Sequence, residues 1–270
     1  MQTEIRDPLI ARSRRLGTCL ASLVYLFLLV PVLIVIPIAF GSANELAFPP
    51  TEFSFELFRI FLTSSAWTDP LLQSLKVAVI STAAVMLVGV PAAYGLARHD
   101  FPGKSLVAGV MLSSLVIPTI VTALGLYLYF SYLRITGTTL ALVLGHVIYT
   151  MPYVIVMIVA GVQKLDRNLE FGAQLMGAGR LRMFVTVVLP QLLPSLMAAA
   201  LFAFLISFDE VVIAWFLSGT GTTTLPVKMF SSIRWEISPV IAAVSTFLTA
   251  MTLIACVVII WLEKPTPDKT

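Results

Sequence analysis

The chain has 270 residues, of which 59% are hydrophobic and only 11% are charged, with a mean hydropathy of +0.98. Because roughly a quarter of the residues in soluble domains are charged, this composition excludes a soluble globular domain and predicts a polytopic membrane protein. The net charge of +3 is too small to indicate a nucleic-acid partner, and the basic residues are better explained as signals of membrane topology.

Six segments are apolar enough to cross a lipid bilayer, whose hydrocarbon core of about 30 Å requires about 20 apolar residues per helix. In chain order they are 17–41, 72–97, 106–130, 139–161, 192–217 and 239–262. Pro118 and Pro152 are expected to bend the third and fourth helices. We therefore predict an all-α fold with six transmembrane helices in a single domain, 1–270.

Lys and Arg are distributed unequally between the two sides of the predicted membrane. Twelve of the 17 fall in the N-terminal segment, in 98–105, in 162–191 and in the C-terminal tail, and five fall in or beside the loops of the opposite side. The positive-inside rule therefore places both termini and segment 162–191 in the cytoplasm. On the external side, apolar residues at helical spacing predict a short interfacial helix: Phe53, Leu57, Ile60 and Phe61.

The cytoplasmic segment 162–191 carries two short amphipathic helical patterns, one before Gly177 and one after it. Gly177 and Gly179 can form the turn between them, and Pro190 separates the second pattern from the following span. These features predict a helical hairpin on the cytoplasmic side. A plain amphipathic loop resting on lipid headgroups is the alternative that the pattern leaves open.

The same segment contains a spaced motif: Gly177, nine residues, Val187, one residue, and then Leu189-Pro190. This spacing resembles the cytoplasmic-loop signature of permease subunits from bacterial ABC importers, in which Glu-Ala-Ala stands four residues before the glycine. Here those three positions are Phe171, Gly172 and Ala173, and the nearest acid is Glu170. The resemblance implies a coupling loop at 162–191 that docks on an ATPase subunit, and it leaves open whether Glu170 replaces the missing glutamate. The implied coupling residues are Glu170, Gly172, Ala173, Gly177, Ala178, Arg180, Leu189 and Pro190.

A second stretch, residues 207–248, is similar to the subgroup of this family that imports spermidine and putrescine. The similarity lies in the acidic pair Asp209-Glu210 followed by Val-Val, and in the external string TTTLP. It implies a type I ABC importer permease in the bacterial cytoplasmic (inner) membrane. The implied partners are a homologous second permease subunit, two cytoplasmic ATPase subunits and an external substrate-binding protein. ATP would be bound by the ATPase subunits, so this chain would need no cofactor and would not itself be an enzyme.

The acidic pair is the candidate substrate pathway. We expect Asp209 and Glu210 in the middle of the fifth span, where a carboxylate is costly unless it contacts a partner or a water-filled cavity. A polyamine cation crossing the membrane needs compensating negative charge, and Tyr149, Tyr153 and Trp215 could add cation–π contacts. Adjacent residues point about 100° apart on a helix, so one acid can line the pathway while the other pairs with a basic group. Alternatively, one acid forms a structural salt bridge to the partner permease, and the aromatics are interface anchors.

Other features of the sequence limit the remaining possibilities. FPGKS at 101–105 lacks the first glycine of a phosphate-binding loop, because that position is Arg98, and no metal-ligand spacing is present. His146 is expected to be a hydrogen-bonded packing residue. Two alternative functions stay open: import of another small solute, such as an opine or other cationic metabolite, and ion-driven secondary transport, which would favour internal repeats.

Overall fold

The computed structural model describes residues 8–42, 47–235 and 238–262, and throughout these ranges the regular structure is helical, as predicted. The basic residues predicted to hold the two ends of the chain in the cytoplasm include Arg6, Lys264 and Lys269, which lie outside the described residues. The chain divides into two compact units, Met1–Ser65 with Ser232–Thr270, and Ala66–Ser231.

In the first unit, α1 (Pro8–Ala39) and α2 (Glu56–Thr63) both pack against α13 (Val240–Leu262). The short helix α2 lies where the apolar spacing predicts a helix. Leu57 and Phe61 on its apolar side are buried, and the ring of Phe61 lies 5.4 Å from that of Phe247 on α13. Phe53, which belongs to the same predicted pattern, lies before the helix and is exposed.

The second unit, Ala66–Ser231, contains the helices from α3 (Ser65–Arg98) to α11 (Val212–Leu217) apart from Ser65, and it ends within α12 (Leu225–Trp235). Its helices are α3 (Ser65–Arg98), α4 (Lys104–Leu112), α5 (Thr119–Tyr132), α6 (Thr139–Gln163), α7 (Arg167–Leu175), α8 (Arg180–Met183), α9 (Leu189–Gln191), α10 (Leu193–Asp209) and α11 (Val212–Leu217). The central helix is α6, which packs against α10 and α11, while α11 also packs against α5. Two apolar clusters form the core, one around the first half of α6 at 141–143 and one around its second half at 154–162.

Three helices of the described residues are long and apolar enough to cross a membrane: Gly17–Ala39 in α1, Ser65–Arg98 and Thr139–Gln163. Two bent helix pairs raise the number to five if each pair is one span. The sixth predicted span coincides with α13, whose described apolar part, Val240–Ile254, is shorter. The number of six spans therefore stays a prediction.

The third predicted span, 106–130, was wrong as one continuous helix. The chain turns by 105° between Lys104–Leu115 and Thr119–Tyr132. Pro118 lies at this turn with extended backbone angles, φ −53° and ψ 133°, because a proline has no N–H to continue the helical ladder and disfavours helix in the residue before it. By contrast, α6 continues through Pro152, which is buried inside the helix.

The fifth predicted span, 192–217, is also discontinuous. It begins after a 77° bend between Arg180–Gln191 and Leu193–Asp209, and it is interrupted again between α10 and α11. Pro190, predicted to separate the hairpin from this span, lies within the short helix α9. The bend follows two residues later, at Leu192. A second Leu-Pro pair, Leu193-Pro194, then begins α10, as Leu189-Pro190 begins α9.

Close packing of α6 against α10 depends on a residue without a side chain. A methyl group at Gly161 would lie 2.5 Å from Ser195 Oγ and 2.8 Å from Ser195 Cβ. We expect Gly161→Ala to lower the free energy of unfolding by about 1–3 kcal/mol, which is typical of overpacking. SDS-titrated unfolding of the purified protein measures this difference.

The matched control is Gly125→Ala in α5, because a methyl group there meets nothing within 4 Å. Alanine is the better residue inside a helix, so this variant should be as stable as the wild type or more stable by about 0.5–1 kcal/mol. Equal stability of the Gly161 and Gly125 variants would contradict the close-packing argument.

Candidate functional site

Segment 162–191 forms the predicted helical hairpin. Its first arm, α7, begins after Asp166, whose side chain accepts a hydrogen bond of 2.9 Å from the backbone N–H of Asn168. This contact satisfies one of the free N–H groups at the start of the helix. The second arm is α8, which continues through one wider π-helical turn, Phe184–Val188. The hairpin thus follows from a capped helix start and a glycine-containing turn, both visible in the sequence.

The turn of the hairpin depends on Gly177. Its φ is +87°, in the left-handed region that strongly favours glycine, and the Ala178 N–H donates to the Ala173 carbonyl across the turn at 3.0 Å. Gly179, the other glycine predicted for the turn, has ordinary extended angles. Of the two, only Gly177 requires the absence of a side chain.

Glu170 on α7 is buried and contacts the C-terminal end of α3. The Tyr94 hydroxyl donates to Glu170 Oε2 at 2.7 Å, and Arg98 Nη2 lies 2.7 Å from Glu170 Oε1 as an ion pair. Arg98 Nη2 also donates to the backbone carbonyl of Leu165 at 2.9 Å. These contacts attach the first arm of the hairpin to α3, and they are made inside the chain. A contact between Glu170 and an ATPase subunit stays an untested prediction.

The other residues that the resemblance assigns to coupling occupy different positions in the hairpin. Ala173, Ala178 and Leu189 are half-buried and pack against the core of the second unit. Gly172 lies on α7 in open space, where a methyl group would meet no atom within 4 Å. Arg180, at the start of α8, and Pro190, in α9, are exposed.

A cavity of about 150 Å³ opens beside the attachment of the hairpin to α3. Phe171, which occupies the position of the glutamate in the signature, is 57% exposed and lines this cavity. The other lining residues are Tyr94, Arg98, His99, Arg167, Glu170, Gln174, Arg180 and Met183. Arg98 was predicted only as a topology signal, and no role was predicted for Tyr94. Their roles depend on a contact between segments 76 residues apart, which no local pattern records.

The two neighbouring acids of the second candidate site have separate environments. Asp209 is the last residue of α10, and Glu210 follows it with extended backbone angles, φ −71° and ψ 123°. The Glu210 carboxylate accepts three hydrogen bonds, from the backbone N–H groups of Val212 at 2.9 Å, Ile213 at 3.0 Å and Ala214 at 2.9 Å. It is therefore a buried cap at the start of α11.

The prediction that both acids lie in mid-helix was wrong for a physical reason. The first N–H groups of a helix have no partner inside it, and an anionic acceptor there also interacts favourably with the helix dipole. Glu210 meets both requirements, and so its partners are backbone groups instead of the expected basic residue. Asp209 is exposed, and its carboxylate forms neither a hydrogen bond nor an ion pair within the described part of the chain.

The three aromatic candidates fall into two groups. Tyr149 and Tyr153 are half-buried on successive turns of α6, with ring centres 6.1 Å apart, and Tyr153 also lies 6.0 Å from Phe202 on α10. Trp215, on α11, is 40% exposed and packs edge to face against Phe230 at 5.2 Å. Their predicted role on a substrate pathway is not tested by these contacts.

His146 on α6 is buried, as expected for a packing residue, and its Nδ1 lies 2.8 Å from the Ser207 hydroxyl on α10. Ser207 was not predicted as a partner of His146, although it lies two residues before Asp209. A buried imidazole favours a hydrogen-bonded partner, and this pair connects α6 to the end of α10 that carries Asp209. No group of three or more His, Cys, Asp or Glu residues that could hold a metal occurs among the described residues.

Comparison with solved structures identifies the fold. The chain matches a chain in the crystal structure of a bacterial ABC transporter involved in the import of the acidic polysaccharide alginate, with a TM-score of 0.79. The match covers 97% of this chain and 100% of that one at 13% sequence identity, so it shows the fold alone. The predicted all-α fold of an ABC importer permease is confirmed.

Comparison of sequences identifies the family. Residues 85–264 match the model of the binding-protein-dependent transport system inner membrane component. The putrescine transport system permease protein PotI of Escherichia coli (strain K12) is 33% identical over 231 residues, or 83% of this chain and 82% of that protein. The spermidine/putrescine transport system permease protein PotC of the same strain is 26% identical over 86% of this chain and 87% of that protein.

The chain therefore belongs to the family of inner membrane components of binding-protein-dependent transport systems. Membership confirms the predicted transport subunit of the inner membrane and the prediction that the chain is not itself an enzyme. It also implies a substrate-binding protein and an ATPase as partners.

The left-handed turn gives the first prediction for this site. We expect Gly177→Ala to weaken the hairpin, since an alanine in the left-handed region costs about 1–2 kcal/mol. Amide hydrogen exchange in residues 167–188 should then accelerate by a factor of about 5–30. The control is Gly172→Ala on α7, which has open space and helical geometry and should slow exchange or leave it unchanged. Equal exchange in the two variants would contradict a special role for Gly177.

The buried ion pair gives the second prediction. Glu170→Gln leaves the Arg98 guanidinium, whose side chain is 8% exposed, without its counter-charge, so the free energy of unfolding should fall by about 3–5 kcal/mol. Replacing both residues, with Arg98→Met, removes the unpaired charge and should restore part of that loss. Unfolding titrated with SDS is measured for Glu170→Gln, for Arg98→Met and for the double variant. The three values together give the coupling free energy between the two residues. Additive effects would show that the pair is not energetically linked.

Proposed function

We propose that this chain is the permease subunit of an ATP-driven importer of polyamines, with putrescine and spermidine as the substrates to test first. The similarity to PotI and PotC over most of the chain supports this substrate class. The observation that carries the proposal is the carboxylate of Asp209, which is exposed where α10 ends and has no partner within the described residues.

The different environments of the two acids favour Asp209 as the pathway residue. The Glu210 carboxylate is occupied by three backbone N–H groups, whereas that of Asp209 is available. A polyamine carries its positive charge into a region of low dielectric constant, where an unpaired carboxylate compensates much of the lost hydration. The one acid thus preserves the helix break, and the other interacts with the substrate.

Aromatic rings on α6 and α11 complement this charge in the proposal. Tyr149 and Tyr153 lie one turn apart and are half-buried, so each retains part of its ring surface for an ammonium group. Trp215 is 40% exposed despite its contact with Phe230. Cation–π contacts of this kind suit a polyamine because its charges are separated by apolar methylene groups.

The complex we propose contains this chain, a homologous second permease subunit, two cytoplasmic ATPase subunits and an external substrate-binding protein. Both termini and segment 162–191 lie in the cytoplasm, as the distribution of Lys and Arg favours. ATP is bound by the ATPase subunits, and this chain needs no cofactor. Closure of the ATPase pair moves the coupling hairpin, and the helices switch the pathway between its two sides by alternating access.

The test is uptake of radiolabelled putrescine and spermidine into proteoliposomes containing the reconstituted complex. We expect ATP-dependent uptake by the wild type and a loss of about tenfold or more in Asp209→Asn, which corresponds to at least about 1.4 kcal/mol of lost stabilisation of the crossing cation. Asp209→Glu keeps the charge and should retain most of the uptake.

Glu210→Gln serves as the neighbouring comparison. It weakens a charge-assisted cap, so its main effect should be a lower unfolding midpoint, whereas Asp209→Asn should leave that midpoint unchanged. Absence of polyamine uptake, with ATPase activity stimulated by a binding protein loaded with another solute, would overturn the substrate and retain the permease. Uptake driven by an ion gradient without ATP would instead support secondary transport.

A further inference from the structure

The cavity beside the coupling hairpin has an excess of positive charge. Arg98, Arg167 and Arg180 line it, and its one carboxylate, Glu170, is matched by Arg98. Arg167 and Arg180 are exposed, and neither forms an ion pair or a hydrogen bond through its side chain within the described part of the chain. Two guanidinium groups are therefore available to an incoming anion.

Arg98, which also lines the cavity, is a buried cation whose hydrogen bonding is incomplete. Its side chain is only 8% exposed, yet its Nε has no hydrogen-bond acceptor among the described residues. Buried polar groups are normally paired, and an unpaired guanidinium N–H is costly. The cavity, at about 150 Å³, is large enough to hold several waters. It therefore has room for a carboxylate group.

The surface around the cavity indicates that the anion belongs to a protein. The hairpin that borders the cavity carries exposed apolar side chains: Phe171, which lines the cavity, at 57%, and elsewhere on the hairpin Leu175 at 90%, Met176 at 90% and Leu181 at 77%. Exposed apolar groups next to arginines are typical of the central part of protein interfaces. A small free ion would leave these side chains uncovered, whereas a protein partner covers them while placing its anion in the cavity.

We propose that this cavity receives an acidic side chain of the ATPase subunit, held by Arg167 and Arg180, while the exposed apolar residues of the hairpin pack around it. The proposal rests on the proposed function, in which the hairpin docks on that subunit. It also accounts for the departure from the family signature. With Phe171 at the glutamate position and Glu170 buried, the exposed hairpin surface around the cavity is apolar and basic, so the complementary acid comes from the partner.

The test measures the affinity of the purified ATPase subunit for the permease complex in nanodiscs of phosphatidylcholine. We expect Arg167→Glu and Arg180→Glu each to raise the Kd tenfold or more. Arg182→Glu is the matched control, because Arg182 is exposed on the same short helix and does not line the cavity; its Kd should change less than threefold. Single acidic residues of the ATPase subunit are then replaced by arginine. One of these replacements should restore binding of the ATPase subunit to the Arg180→Glu permease.

The outcomes separate this inference from the proposed function. Equal weakening by Arg182→Glu would overturn it in favour of a diffuse charge effect, and no weakening by any variant would overturn it outright. If Arg167→Glu and Arg180→Glu raise the Kd only when the nanodisc contains anionic lipid, the result would overturn the inference in favour of a lipid phosphate. Failure of the wild-type complex to bind or stimulate any ATPase subunit would contradict the proposed function itself.

Discussion

The arrangement of the helical hairpin depends on the buried contact of Glu170 with Tyr94 and Arg98. A hairpin of two short helices has little core of its own, and isolated helices of this length are marginally stable in water. The ion pair and the tyrosine hydroxyl fix the first arm to the end of a 34-residue membrane helix, and the half-buried Ala173, Ala178 and Leu189 pack against the same unit. Because these groups are buried, the exposed residues of the hairpin are held in a defined geometry without participating in that attachment.

A comparable division occurs at the acidic pair. Two adjacent carboxylates would repel each other in a low-dielectric region, which makes a shared role costly. The break between α10 and α11 separates them, since Glu210 turns back to the N–H groups of α11 and Asp209 stays at the end of α10. The cost of burying one acid is offset by three hydrogen bonds, and the second acid stays exposed.

The sequence predicted well those features that depend only on neighbouring residues in the chain. Composition and apolar run length predicted the all-α membrane fold, and two amphipathic patterns separated by Gly177 and Gly179 predicted the hairpin. The continuity of the spans at 106–130 and 192–217 was wrong, because hydropathy measures length and not direction. The partners Tyr94, Arg98 and Ser207 were missed, since each contact joins helices that are far apart in the sequence.

The helix α10 has a mechanical consequence. It runs without interruption for 17 residues, or about 25 Å at 1.5 Å per residue, from the bend at Leu192 to Asp209. Along this length Gly161 lets α6 approach Ser195 closely at one end, and His146 bonds Ser207 at the other. The 77° bend next to the hairpin and the exposed Asp209 therefore lie at the two ends of one continuous helix. Because α6 contacts α10 near both ends, we expect the two helices to move together as one rigid pair.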